Sequence, residues 1–425
     1  MINRAEPPEI KDAVAFDLKL KKCQKLTLDN DIPVYYFNGG EEDVMMIDLV
    51  FYAGNDNEKQ NLVANSTNFL LKNGTTKKSS FQINEHFEYY GAYLNRACHN
   101  ETANITLHCL TKHLSKLLPV LQEILTDSVF PESELDIFKQ NSKQQLSVNL
   151  KKCDFVANRL IDEYLFGFEH PYGRYSTAEA YDALNTTLLK DYFKKYYMNG
   201  RCVIFAAGKL PDDFEQQVNS HFGILPVNEQ TGFKKHIPTP ALQKKYRVEY
   251  DPSSVQGAIR IARPFPSRHH PDYKKAVVLN TLFGGFFGSR LMSNIREEKG
   301  YTYGISSYIP NHIQQTSWVI STEAGKDVCE ATIAEVYKEM EILRTEPVDE
   351  EELLLVKNYM IGSSLGDLDG PFPIMNRWKN IILHGMDESY FYDAIATVKN
   401  ITASEIMELA NKYFKEEDFY ELIVY

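Results

Sequence analysis

Apolar and polar residues alternate along this chain in two recurring periods, and the order of those periods repeats. In "HLSKLLPVLQEILTDSVFPESEL", Leu114, Leu117, Leu118, Leu121, Ile124 and Leu125 fall three or four residues apart, the spacing of an amphipathic helix. In "VCEATIAEVYKEMEILRTEPVDEEEL", Ile333, Val336, Tyr337, Met340 and Leu343 follow the same rule. Each pattern breaks at a proline, Pro131 or Pro347, and restarts through an acidic turn, which the helix dipole favours at an N-terminus. Ahead of each helix the period changes to two. "ANITLHCL" places Ile105, Leu107 and Cys109 on one strand face, and "TSWVIST" does so with Trp318 and Ile320. Still earlier, each half predicts a helix closed by glycine, "FQINEHFEYYGAY" at Gly91 and "GSRLMSNIREEKGYTY" at Gly300.

The halves also end alike. "NTTLLKDYFKKYY" then "RCVIFAAG" parallels "NITASEIMELANKYF" then "YELIVY", with Asn185 and Asn400 just before the helices. The last residues therefore read as a sheet strand and not a tail. Between the halves, "TGFKKHIPTPALQKKYRVEYDPSS" has three prolines, four lysines and no helical period, which reads as a linker. The pattern predicts two copies of one α+β unit, residues 1–230 and 251–425, joined by a linker at 231–250. Each copy is an antiparallel or mixed sheet with helices on one face.

Composition narrows the function. The formal charge is −12 (46 basic against 58 acidic residues), which argues against nucleic acid, whose phosphates need a basic face. The six cysteines are scattered without a CxxC pair, as expected of reduced thiols rather than a zinc knuckle. No apolar stretch reaches the roughly 18 residues of a membrane span, and the start "MINRAEPPEIKDAV" has no signal-like apolar core, so a cytoplasmic protein without membrane contact is expected.

The duplicated architecture and its turn phrases resemble the pitrilysin family of zinc peptidases, which includes insulin-degrading enzyme, the mitochondrial processing peptidase and the core proteins of bc1 complexes. The phrases are "FYAGNDNEKQN", "LLKNGTTKKSS", "GAYLN", "FGFEHPYGRYST" and, most specific, "FGGFFGSRLMSNIREEKGYTYGISS". The resemblance covers nearly the whole chain.

It implies an active-site helix bearing H-x-x-E-H just before Gly74-Thr75, with two His binding zinc and the Glu as general base. Here those positions hold Asn65, Asn68 and Phe69. Asn is a poor zinc ligand, Phe is none, and an Asn amide accepts no proton near neutral pH. The family's third ligand, a Glu in the helix after Pro131, falls near Ser147 or Val148, and no acid lies between Asp136 and Asp154. Other metal candidates are weak. His108 and Cys109 are strand neighbours pointing to opposite faces, with His99 nearby; His269-His270 sits in a loop, and His86 reads as a packed residue.

The resemblance also implies a second constellation, an Arg and a Tyr seven residues later that hold the substrate backbone across the chamber. "IREEKGYTYG" supplies Arg296 and Tyr303; the competing reading is a surface Arg at a helix end beside a half-buried Tyr. Family substrates dock as an added strand, for which "AYLNRAC" and "ISSYIPN" are candidate edges. The implied function is a zinc-free subunit, without zinc of its own, whose partner is a homologous chain carrying H-x-x-E-H and zinc, with peptides as substrates. The alternative is a structural or peptide-holding scaffold like the bc1 core proteins.

Overall fold

The computed structural model describes residues 11–226 and 232–425; the segment 227–231, at the expected boundary between the halves, lies outside the described residues. The repeat in the sequence is a repeat in the sheets. Six strands in the first half are β1 (Gln24–Thr27), β2 (Pro33–Asn38), β3 (Val44–Phe51), β4 (Tyr93–Cys98), β5 (Ala103–Leu110) and β6 (Cys202–Gly208). Five in the second are β7 (Lys245–Val248), β8 (Gln256–Phe265), β9 (Thr302–Tyr308), β10 (Thr316–Gly325) and β11 (Tyr420–Val424). The sheet orders are β1-β2-β6-β3-β5-β4 and β7-β11-β8-β10-β9. In each, the last strand of the half inserts parallel to the first neighbour and antiparallel to the second, β6 between β2 and β3, β11 between β7 and β8. The C-terminal "YELIV" is thus an inner strand buried at every position. The expected linker contributes too, because Lys245–Val248 within it is β7.

Helices follow the predicted order. The first five are α1 (Val63–Leu70), α2 (Ser80–Tyr89), α3 (Leu114–Asp127), α4 (Glu132–Asn149) and α5 (Cys153–Phe166), and Ala178–Asp182, Thr186–Phe193 and Phe214–Phe222 follow in the first half. The turns that close α2 and the matching helical turn Met292–Glu298 put Gly91 and Gly300 at φ +61° and +65°, where a Cβ is strained. Asn185 caps its helix by accepting from the Leu188 amide at 3.0 Å, whereas Asn400 ends one helix and the next is capped by Thr402.

The strands Ile47, Leu49, Phe51, Ile105, Leu107 and Ile204 bury one face of the first sheet against the helices of its own half. The opposite face, with Val50, Tyr52, Val203 and Phe205, is covered by the other half: Ile374, Met375 and Trp378 of helix Pro371–Leu383 share its cluster. The reverse also holds. Val156, Ala157, Ile161 and Leu165 of α5 pack on Ala258, Ala262 and Leu422 of the second sheet. Each sheet is therefore helix-covered on both faces, one cover being its own and the other exchanged.

A charged pair sits at each exchanged contact, with reversed polarity. Asp48 of β3, 3% exposed, accepts from Lys379 Nζ at 2.5 Å, from Thr106 Oγ1 at 2.8 Å and from Asn104. Arg260 of β8, 1% exposed, donates to Asp154 and to Asn158 Oδ1 at 2.8 Å, both on α5.

Elsewhere the seam between the halves is rich in buried titratable groups. Glu101 accepts from the Tyr172 hydroxyl and from the Ile313 amide at 3.0 Å, and His312 stacks on Tyr172 at 4.3 Å. Burial pushes the Asp56 carboxyl up to about 8, although the Lys234 amide pulls it back, and pushes Glu58 up to about 7. Burial pushes His170 and His312 down to about 4. The signs oppose one another. The raised carboxyls hold protons that the unfolded chain sheds above its own carboxyl range, so their contribution is full at acid pH and lost as pH rises through about 7 to 8. The depressed histidines stay neutral while unfolded ones charge below roughly pH 6.5, so their contribution is lost as pH falls from there toward about 4. The two sets of slopes offset each other between about pH 4.5 and 6.5, so thermal melts are expected to change little there and to fall as pH rises from about 6.5 to 8. A melting temperature that climbs steadily across the whole range contradicts this balance.

Candidate functional site

The N-terminus of α1 is fixed by an acid. The Glu58 carboxylate accepts from the Leu62 and Ala64 amides at 3.2 and 3.0 Å, with Arg174 3.7 Å away, and Leu62 turns into the helix at φ +73°. From this start Asn65 and Phe69 are exposed one turn apart, and Asn68 is buried. Asn68 donates its amide to the Tyr197 hydroxyl at 3.0 Å and to the Asn104 carbonyl at 3.4 Å. It is a satisfied core amide rather than a group aimed at a reacting water.

Phe69 occupies the position of the second expected His. Its ring packs on Phe138 of α4 at 5.0 Å, and the Arg96 guanidinium of β4 lies over it at 4.8 Å while donating to the Phe69 carbonyl. The contact between α1 and α4 at this point is therefore aromatic. Ser147 and Val148, near the expected third ligand, are exposed, and the Ser147 hydroxyl turns back to the Gln144 carbonyl at 2.7 Å. Of the acids in α4, Glu134 accepts from the Asn73 amide at 2.7 Å. This donor set does not fit a zinc ion, which takes imidazole, thiolate or carboxylate ligands. The purified chain is expected to retain well under one zinc per molecule after dialysis, read by elemental analysis; one zinc per chain, lost on mutating Asn65 or Asn68, would overturn the assignment.

The other metal candidates are dispersed. His86 Nε2 lies 2.9 Å from the Lys116 carbonyl and its ring packs on Phe87 and Tyr90. Cys109 is buried among core residues. His269 is exposed. His99 lines a cleft of about 640 Å³ between the halves, together with His312, Lys379 and His384. Among the described residues, no group of three or more His, Cys, Asp or Glu side chains could hold a metal.

Arg296 and Tyr303 are brought together. Arg296 sits on the wide helical turn Met292–Glu298 and Tyr303 on β9, with the Gly300 turn between. Arg296 Nε donates to the main-chain carbonyl of Tyr303 at 3.0 Å, its guanidinium covers the Phe287 ring at 4.7 Å, and Nη1 reaches Glu297 at 3.0 Å. The Tyr303 residue is 93% exposed, so it is not the half-buried packing residue of the competing reading. The contact is to the main chain of Tyr303, which leaves its phenol in solvent; guanidinium and phenol are both donors suited to a peptide carbonyl. Both candidate edges are edges in fact: β4 ends one sheet and β9 ends the other. Sequence reasoning missed Arg96 and Phe138. The available signal was the lone cation two residues after Leu94, on the same face of a strand whose inner positions are otherwise apolar.

Residues 40–169 match the family described as Insulinase (Peptidase family M16), and residues 183–360 match the Peptidase M16 inactive domain. The chain belongs to this family of zinc peptidases and their inactive homologues. It is 25% identical to an uncharacterized zinc protease, YmxG, of Bacillus subtilis, over 81% of this chain and 83% of that one. It is 24% identical to the mitochondrial-processing peptidase subunit beta of Bos taurus, over 85% of this chain and 76% of that one. The crystal structure of a peptidase M16 inactive domain from Pseudomonas fluorescens superimposes with a TM-score of 0.85 at 22% identity, covering 95% of this chain and 98% of that chain. No helix among the described residues is long and apolar enough to cross a membrane.

Proposed function

We propose that this chain is the non-catalytic member of a two-chain peptidase. A homologous partner supplies zinc and the H-x-x-E-H helix, and this chain supplies Arg296, Tyr303 and half of the peptide chamber. The observation that carries the reading is an asymmetry between the halves. In the first, the residues at the zinc positions are turned to packing, Asn68 onto Tyr197 and Phe69 onto Phe138. In the second, Arg296 holds the main chain of the exposed Tyr303 on the outer strand β9. An inert scaffold has no use for that pair. Two copies of this chain cannot make a zinc site either, because both lack its ligands.

Co-expression with a zinc-bearing homologue from the same genome, followed by light scattering, tests the assembly. A stable one-to-one complex is expected at micromolar concentration. Two chains that elute separately under those conditions would favour the scaffold reading, in which the fold is kept for structure alone.

A further inference from the structure

The first half carries a local concentration of unbalanced positive charge. Arg96 lies on the face of β4 turned toward α1, where its guanidinium covers Phe69. Among the described residues no carboxylate lies within ion-pair distance of Arg96 or of Lys72, and Arg96 Nε is buried without a hydrogen-bond partner. The two cations feel each other. Burial and then the charge of Arg96 lower the Lys72 amine, against which Glu88 acts in the opposite sense. Burial lowers Arg96 to about 10, still cationic at neutral pH. Two half-desolvated cations that repel each other without a paired acid raise the energy of the free protein, and an incoming anion relieves it.

The surroundings specify the anion. β4 is a sheet edge, bonded to β5 on one side only, so its outward amides and carbonyls are open to another strand. On its opposite face Tyr93 is exposed. In an added strand, the residue directly across from Arg96 has its Cβ about 5 Å away on the same face. We propose that the β4 edge binds an extended peptide segment carrying an internal Asp or Glu side chain opposite Arg96, with Lys72 supporting the charge. This rests on the reading that the chain holds peptides, and it adds a preference that the Arg296–Tyr303 pair does not supply. The net charge of −12 acts against an acidic peptide at a distance, but screening confines that field to roughly 8 Å at physiological salt, whereas the pair acts at contact.

Fluorescence anisotropy with capped ten-residue peptides, identical except for Glu, Gln or Lys at one central position, tests this on the intact chain. The Glu peptide is expected to bind about tenfold more tightly than its Gln isostere, a typical gain for a charge-assisted bond. Lys is expected to bind most weakly. The gap should collapse in Arg96→Gln and persist in Arg96→Lys, whose melting curves report whether the Phe69 contact has been damaged. The wild-type Glu–Gln comparison needs no variant. Equal affinities for Glu and Gln, a gap that survives Arg96→Gln, or a preference that appears only with an uncapped carboxy terminus would each overturn the proposal. Equal binding of all three peptides that weakens in Arg296→Ala would leave the proposed function standing without the acidic preference. No binding of any peptide would remove both.

Discussion

Replacing Tyr303 by Phe in this chain alone is expected to lower peptide hydrolysis by the reconstituted two-chain complex roughly a hundred- to a thousandfold, or about 3–4 kcal/mol, the usual loss for one donor to a developing oxyanion. The structure makes this substitution a clean one. The side chain is 93% exposed, so removing the hydroxyl costs no core packing. Arg296→Ala should show a loss of similar size, but its reading is less direct. It also deletes the bond from Nε to the Tyr303 carbonyl and the cover over Phe287, so it disturbs the turn that presents Tyr303. If donation to the substrate carbonyl is what matters, both variants should lower kcat and kcat/KM together on an unstructured peptide. Assembly with the partner and the partner's zinc content should be unchanged. A fall in affinity with kcat intact would recast the pair as a docking clamp, and full activity in both variants would transfer preference to the scaffold reading.

The repeat was legible because each half must bury its own apolar stripes, and the stripes of α3 and β5 are written in periods of 3.6 and 2. The C-terminal strand was legible for the same reason, as an apolar run in the place that "RCVIFAAG" holds in the first half. The exchange of covers was not. Val156, Ala157 and Ile161 mark α5 as amphipathic, but nothing in a helix's own period states which sheet receives its apolar face. Nor did the lysine-rich stretch before Tyr246 announce a strand. β7 is an edge strand of alternating exposure, held by β11 on one side, and such edges tolerate charge where an inner strand cannot.

The site divides in the same way. That Asn65, Asn68 and Phe69 cannot ligate zinc is a matter of side-chain chemistry and needs no coordinates. What replaces the ligands is a matter of contact. Phe138 lies about 70 residues from Phe69 in the chain and Arg96 about 30, and only the crossing of α1, α4 and β4 joins them. The pairing of Arg296 with Tyr303 falls between these cases. Seven residues through a glycine turn leave few ways to separate them, so sequence spacing nearly determined the geometry.

The exchanged covers carry the largest expected stability effect. Lys379→Met keeps the length and packing of the stem and removes the ammonium that Asp48 accepts from at 2.5 Å. Asp48 is then left 3% exposed, with Asn104 and Thr106 as partners but no counter-charge. Breaking a buried pair from one side typically costs about 3–5 kcal/mol, because the remaining ion stays desolvated. Lys379 is itself partly exposed, which moves the expectation toward the lower end. The companion variants fix the cause. Asp48→Asn in the Lys379→Met background removes the stranded charge and keeps groups able to bond Thr106 and Asn104, so it should restore most of the loss. The double variant should then lie within about 1 kcal/mol of the parent, since replacing a whole buried pair by neutral groups is often close to neutral. Denaturant melts of the four proteins in the cycle give the coupling directly. If the two single effects simply add, Asp48 and Lys379 do not act as a pair, and the polar contact between helix Pro371–Leu383 and the first sheet contributes nothing beyond its apolar packing.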